Sequence, residues 1–201
     1  MVKTVLIERI KQIMNKKGYK FFEKGNYNLN IIGIRSDVNV ANSFDDSLMC
    51  IFKKDNEWII NEYTITTDAG SYWLNNPINK KGTALLVPDQ YKGVYGLRLH
   101  NGKYKALCQS WGDVKVYRDN DKDIILNYDP QTIDEGMFGI NIHRSNPRIE
   151  STMVDKWSAG CQVFKKVNEF NEFIKDCETA RNIWGNKFTY TLLTYKDINN
   201  G

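Results

Sequence analysis

Gly139-Ile140-Asn141-Ile142-His143-Arg144-Ser145, and then Trp157-Ser158-Ala159-Gly160-Cys161-Gln162-Val163-Phe164, are the two stretches that decide how this 201-residue chain folds. In the first, apolar and polar residues alternate from Phe138 to Ile142, the period of a strand, and the run ends on a histidine. A polar loop containing Asn146-Pro147 follows. The second stretch presents small residues, a glycine and a cysteine before entering another apolar run. A thiol nucleophile needs such surroundings. A free cysteine has a pKa of ~8.5, and a nearby imidazole can lower it by several units. Strand ends side by side can bring the base within hydrogen-bond reach of the sulfur. Small residues before the nucleophile leave room for substrate. They also free backbone N–H groups, here those of Gly160 and Cys161, to face a developing oxyanion. The expectation is a Cys161 thiolate with His143 as its base, reacting well below pH 8.

Taken singly, neither feature carries chemistry, since small-Gly-Cys tripeptides arise by chance and a strand-end histidine is usually a polar surface residue. Together they resemble the active-site motif of the L,D-transpeptidase catalytic domain, the YkuD-like fold. That motif is a strand-terminal His, a loop of somewhat under twenty residues, and Ser/Thr-x-Gly-Cys. His143 and Cys161 lie 18 positions apart, and Ser158-x-Gly160-Cys161 matches the second half. Weaker matches lie upstream, in Tyr63-Thr64-Ile65-Thr66-Thr67-Asp68-Ala69-Gly70 and Asn79-Lys80-Lys81-Gly82-Thr83-Ala84. The likeness spans roughly residues 57–165. It departs from the family at Ala159, where members commonly have His, and at Val163, where they often have Arg or Asn. It departs again at Arg144, where the residue is usually small.

The resemblance implies acyl transfer on peptidoglycan stem peptides through a Cys161 thioester, with no metal or organic cofactor. Backbone N–H groups at Gly160 and Cys161, with the Ser158 hydroxyl, would hold the oxyanion, and the Arg144 carbonyl would fix the imidazole tautomer. Tyr95, Arg98 and Trp157 are candidates for lining the substrate cleft. A stem-peptide hydrolase on the same scaffold, suited to phage lysis or entry, is the first alternative. A structural or binding protein that kept the fold without turnover is the second. His100, the only other imidazole, is the competing base.

Outward from the motif, Val5, Leu6, Ile10, Ile13 and Met14 fall at helical spacing over residues 3–17, and Gly18 ends that segment. β-rich runs follow at 31–35, 48–53, 58–67, 83–87, 95–100, 103–109, 114–118 and 138–143, punctuated by Gly, Asn, Asp and Pro. Asn101-Gly102 favours a tight hairpin. Beyond Cys161, Val167, Phe170, Phe173, Ile174 and Cys177 share one helix face, and 188–195 reads as a last strand. The fold class is mainly β with flanking helices (α+β). An amphipathic helix in 1–25 packs on a domain of 26–201, and the resemblance makes that domain a β-sandwich or mixed sheet.

Composition excludes little: 41% of residues are hydrophobic, 26% are charged, and the net charge is +4. The lysines are scattered rather than clustered, which argues against nucleic acid. No run approaches the ~18 apolar residues of a membrane span, and the first ten residues are too charged for a signal-peptide core. The expectation is cytoplasmic synthesis, with any action on the wall requiring lysis or delivery in a particle. An Asn- and Lys-rich chain of this kind suits a phage-encoded protein. Cys50, Cys108 and Cys177 read as small buried apolar residues. No zinc-ligand spacing occurs among the cysteines and histidines. Asp119-Asn120-Asp121-Lys122-Asp123 lacks the Gly and the acidic residue of a calcium loop, with Ile124 and Pro130 in their places, and reads as a solvated turn.

Overall fold

β-branched and aromatic residues suit a pleated, half-buried surface, and they are dense in the strands Glu57–Thr66 and Phe188–Thr194 of the computed structural model, which describes residues 2–199. In chain order the elements are helix α1 (Val2–Lys16), strands β1 (Asn30–Arg35), β2 (Asp46–Lys54) and β3 (Glu57–Thr66), and the short helix α2 (Ser71–Asn75). Then come β4 (Thr83–Leu86), β5 (Gln90–His100), β6 (Tyr104–Gln109), β7 (Val114–Asp119), β8 (Asp134–Gly136), β9 (Ile142–Arg144) and β10 (Gln162–Phe164). Helix α3 (Val167–Trp184), β11 (Phe188–Thr194) and α4 (Tyr195–Asn199) complete the chain.

Eight strands close into a barrel in the order β1-β11-β5-β6-β9-β10-β3-β2, and β4-β7-β8 form a separate three-stranded sheet. The expected sandwich is therefore corrected to a barrel. The reason is a long-range pairing that local periodicity does not encode. β1 runs parallel to β11, with Ile31 beside Tyr190 and Arg35 beside Thr194, and this seam joins what would otherwise be two free edges.

Both faces of the closing strands are buried, because one lines the barrel and the other lies under a helix. Ile31, Leu48, Cys50, Leu192 and Tyr190 belong to the central core, which α3 shares through Phe170, Phe173 and Cys177. The neighbours of alternate parity, Ile32, Met49, Ile51 and Leu193, meet Ile7, Ile10, Ile13 and Met14 of α1. Each of these fully buried side chains contributes roughly 1.5–3 kcal/mol of transfer free energy. The helix thus covers one barrel face.

The β5–β6 hairpin turns through Asn101 and Gly102, whose φ values of 50° and 70° explain the Asn-Gly choice. The expected strand over 138–143 is shorter, covering only Ile142–Arg144. Its first half is drawn out of strand geometry because the N–H groups of Phe138, Gly139 and Ile140 all donate to Gln109 Oε1, at 3.1, 2.9 and 3.2 Å. A buried ion pair, Arg35–Asp68 at 3.0 Å, lies where β1 and β3 end. Beside it Asp46 accepts the N–H groups of Ser36 (2.7 Å) and Thr67 (2.6 Å). The Thr67 carbonyl accepts from both Arg35 and Gln162, so this cluster touches the residue following Cys161. Asp119, expected in a solvated turn, is buried at the end of β7, where its Oδ2 accepts the Asn127 N–H at 2.9 Å. No helix among the described residues is long and apolar enough to cross a membrane.

Candidate active site

β9 and β10 run side by side in parallel, with Gln162 next to Ile142 and Val163 next to His143. Cys161 immediately precedes β10, at the level of Asn141. Ile142 and Phe164 point into the barrel core. Alternation sends His143 and Cys161 to the opposite face. There they line one cleft of about 500 Å³, between the barrel and the three-stranded sheet.

The turn before Cys161 is built from its own small residues. The Ser158 hydroxyl donates to the Cys161 carbonyl (2.8 Å) and accepts from the Gly160 N–H (3.1 Å). Gly160 has φ +115°, and a Cβ there would lie 2.3 Å from the Ala84 carbonyl oxygen on β4. Only glycine lets the turn pass this close to the second sheet. The expected oxyanion donors are corrected accordingly. Ser158 is fully buried with its hydroxyl engaged, and the Gly160 N–H is occupied by it. The Cys161 N–H remains, donating to no protein acceptor among the described residues.

The Cys161 side chain is half-buried, and its sulfur lies 3.5 Å from the Gly139 carbonyl and 3.4 Å from the Asn141 N–H. Burial pushes the thiol up to about 11, against which the Asn141 N–H pulls down. His143 is buried, and its Nδ1–H donates to the Arg144 carbonyl at 2.9 Å, with Tyr104 Oη 3.4 Å from both atoms. That leaves Nε2 as the free lone pair, a tautomer assigned from the network. Burial first, and the nearby His100 second, hold His143 down to about 3. The sulfur makes no hydrogen bond to the imidazole. The expectation of a resting thiolate reactive well below pH 8 is therefore corrected: the unliganded cleft holds a neutral thiol and a neutral imidazole. Burial disfavours the charged form of each group, and no hydrogen bond between them offsets it.

His100 reaches the same cleft because the β5–β6 hairpin places it there. Its ring stacks on His143 with centroids 4.3 Å apart and planes 18° off parallel. Asn141 Oδ1 accepts the Gln109 N–H at 2.9 Å, so its amide N–H faces His100 Nδ1 at 3.3 Å. The His100 Nδ1 lone pair is thereby covered, and burial lowers its pKa. His100 thus stacks on the ring of His143, and its other nitrogen, Nε2, lies 3.2 Å from the Asn101 side-chain amide.

Of the three proposed cleft residues, the structure brings only Trp157 to the cavity wall. Tyr95 is buried inside the barrel, where its ring meets that of Tyr190. Arg98 is exposed elsewhere, its guanidinium 4.6 Å above the Trp111 ring. The two are three residues apart on one strand and so face opposite sides. Sequence reasoning missed Asn141, Gln109, Tyr104 and Arg118. The strict alternation around Asn141 was the one available signal, since it put that side chain on the face of His143. Cys50, Cys108 and Cys177 are free and buried. No three His, Cys, Asp or Glu side chains among the described residues converge as a metal site.

No family model, curated protein or solved structure matches the chain.

Proposed function

We propose that the chain is a cysteine acyl-transfer enzyme of the L,D-transpeptidase kind, acting on peptidoglycan stem peptides through a Cys161 thioester. The observation that supports this reading is a half-buried thiol sharing one cleft with a neutral imidazole whose Nδ1 is anchored on the Arg144 carbonyl. Anchoring Nδ1 leaves Nε2 to receive a proton, the orienting role that a carboxylate fills in other triads.

Because both groups are neutral at rest, the proton moves only as the bond forms. The thiol hydrogen leaves the Gly139 carbonyl for His143 Nε2 while the sulfur attacks the donor carbonyl. The carbonyl electrons collect on oxygen, which the Cys161 N–H stabilises. Collapse expels the amine fragment, which takes the proton from the imidazolium, and a thioester remains. An acceptor amine, deprotonated by the same nitrogen, then attacks the thioester, and the sulfur departs and recovers its hydrogen. Water in place of the amine gives hydrolysis.

The test is incubation with purified peptidoglycan fragments followed by mass spectrometry, comparing the native protein with Cys161→Ala. The expected result is a covalent acyl adduct on the native protein and cross-linked stems, both absent from the variant. Shortened stems without cross-links would make it a hydrolase. No adduct and no change in the fragments with either protein would reduce the chain to a binding module.

A further inference from the structure

The second sheet contributes a cation to the cleft that no step of the acyl transfer uses. Arg118, on β7, lines the cavity with Lys156, and no Asp or Glu does. Two chains of contact fix Arg118 near the sulfur. It pairs in register with Ala84, the residue against which Gly160 packs. Its guanidinium also lies 4.4 Å over the Phe138 ring, one residue before the carbonyl that accepts the thiol. Its Nε and Nη2 bond to Asp134, at 3.2 and 3.1 Å, and its Nη1 bonds to the Gly82 carbonyl at 3.3 Å. Asp134 also holds Lys81 at 3.1 Å and does not line the cavity. One carboxylate is thus shared between two cations, and the network keeps a net positive charge on the cleft side.

Lys156 also lines the cavity, next to Trp157. Its carbonyl holds the Trp73 indole N–H at 3.1 Å, and its ammonium lies 4.2 Å from the Tyr72 ring. Among the described residues it has no carboxylate partner. Its four-carbon stem lets the ammonium swing toward a bound group.

We infer that Arg118 and Lys156 form a carboxylate-binding subsite of this cleft, which selects acyl donors carrying an anionic group close to the bond that Cys161 attacks. The inference rests on the acyl-transfer reading for its location, and on the charge of the lining for its chemistry. Guanidinium and ammonium groups bind carboxylates through charge-assisted hydrogen bonds, which are stronger inside a partly desolvated cleft than at a surface. The anion has two sources in a stem-type peptide: the C-terminal carboxylate of the leaving residue, or a carboxylate on the preceding residues.

Binding is measured by titration calorimetry on full-length Cys161→Ala, so that no turnover is needed. The probes are acetylated γ-D-glutamyl-L-lysyl-D-alanine as the free acid, its C-terminal amide, and the peptide amidated at the glutamyl α-carboxylate. The expected result is that one amidation weakens binding by roughly 10-fold or more and so names the source. Lys156→Gln should remove most of that difference, as should Arg118→Gln. Lys156 is exposed, so its replacement leaves the fold intact even where Arg118→Gln destabilises the second sheet through the stranded Asp134. Equal binding of acid and amides, or a preference untouched by Lys156→Gln and Arg118→Gln alike, would overturn the subsite. Equal binding alongside a Cys161-dependent adduct would leave the acyl-transfer reading standing. A clear acid preference with no adduct would instead sink the chemistry and keep the subsite.

Discussion

The barrel side of the cleft carries Cys161, His143, His100 and Asn141, all uncharged near neutral pH, whereas the second sheet carries Arg118, Asp134 and Lys81 in one ion network. The difference follows from what surrounds each wall. β9 and β10 stand against the apolar barrel core, where a charge has no compensating solvent, so the reacting groups keep their protons in the neutral arrangement. On the second sheet β4 is buried along its length and Arg118 is buried too, so its charge is kept by partners rather than by water: Asp134 on the partly exposed β8 and the Gly82 carbonyl. On the acyl-transfer proposal the reacting pair lies on the barrel wall, and Arg118 faces it from the second sheet.

The most direct way to break this division is to remove the base. His143→Ala should lower thioester formation by about 10²–10⁴-fold, read by single-turnover mass spectrometry. Full activity in that variant would mean that the neutral wall does not do the chemistry. Joining the walls more loosely is the next largest change. Gly160→Ala places a methyl against the Ala84 carbonyl at positive φ, and should destabilise the protein by roughly 2–4 kcal/mol in urea unfolding.

Titration sharpens the comparison further. His143 stays unprotonated in the fold down to about 3, while an unfolded histidine takes its proton near 6.5. Below 6.5 the unfolded chain therefore binds the extra proton, and stability falls as pH drops toward 3. Asp46 has the opposite sign. Burial raises it to about 7 against 3.8 unfolded, so its contribution is full below 3.8 and is lost as pH rises through 7. The native curve mixes the two. Subtracting the curve of His143→Gln should isolate an acid-side loss on the order of 1–3 kcal/mol between pH 6.5 and 4. A difference curve flat over that window would show that His143 is free to protonate. The smallest effect is expected at the support. Tyr104→Phe removes one hydroxyl from the Arg144 carbonyl and should slow acylation by about 2–5-fold, with the fold unchanged.

Local structure was legible where the chain signals locally. The spacing of Ile10, Ile13 and Met14 marks a helix, and Asn101-Gly102 marks a turn. Ser158-x-Gly160-Cys161 marks a tight loop, although no local signal shows that the Ser158 hydroxyl closes it. What escaped was everything decided by distant partners. Barrel closure depends on β1 meeting β11, and no feature within either strand announces the other. In sequence His100 stands beside the Asn101-Gly102 turn, and nothing there joins it to His143. Its neighbours in space are Asn141 and His143, brought in by the pairing of β6 with β9. The raised thiol pKa was equally hidden, since a pairing of imidazole and sulfur on paper says nothing of how much water either retains.

The seam between β1 and β11 also has a kinetic meaning. Two ribbons near opposite ends of the chain must find each other before the barrel is whole, and such distant pairings are slow to form. Refolding from denaturant should therefore be slow, with α1, β1 and β2, neighbours in sequence, able to pack before β11 closes the β1 edge. A chaperone, or dilution, would then govern how much material reaches the closed form.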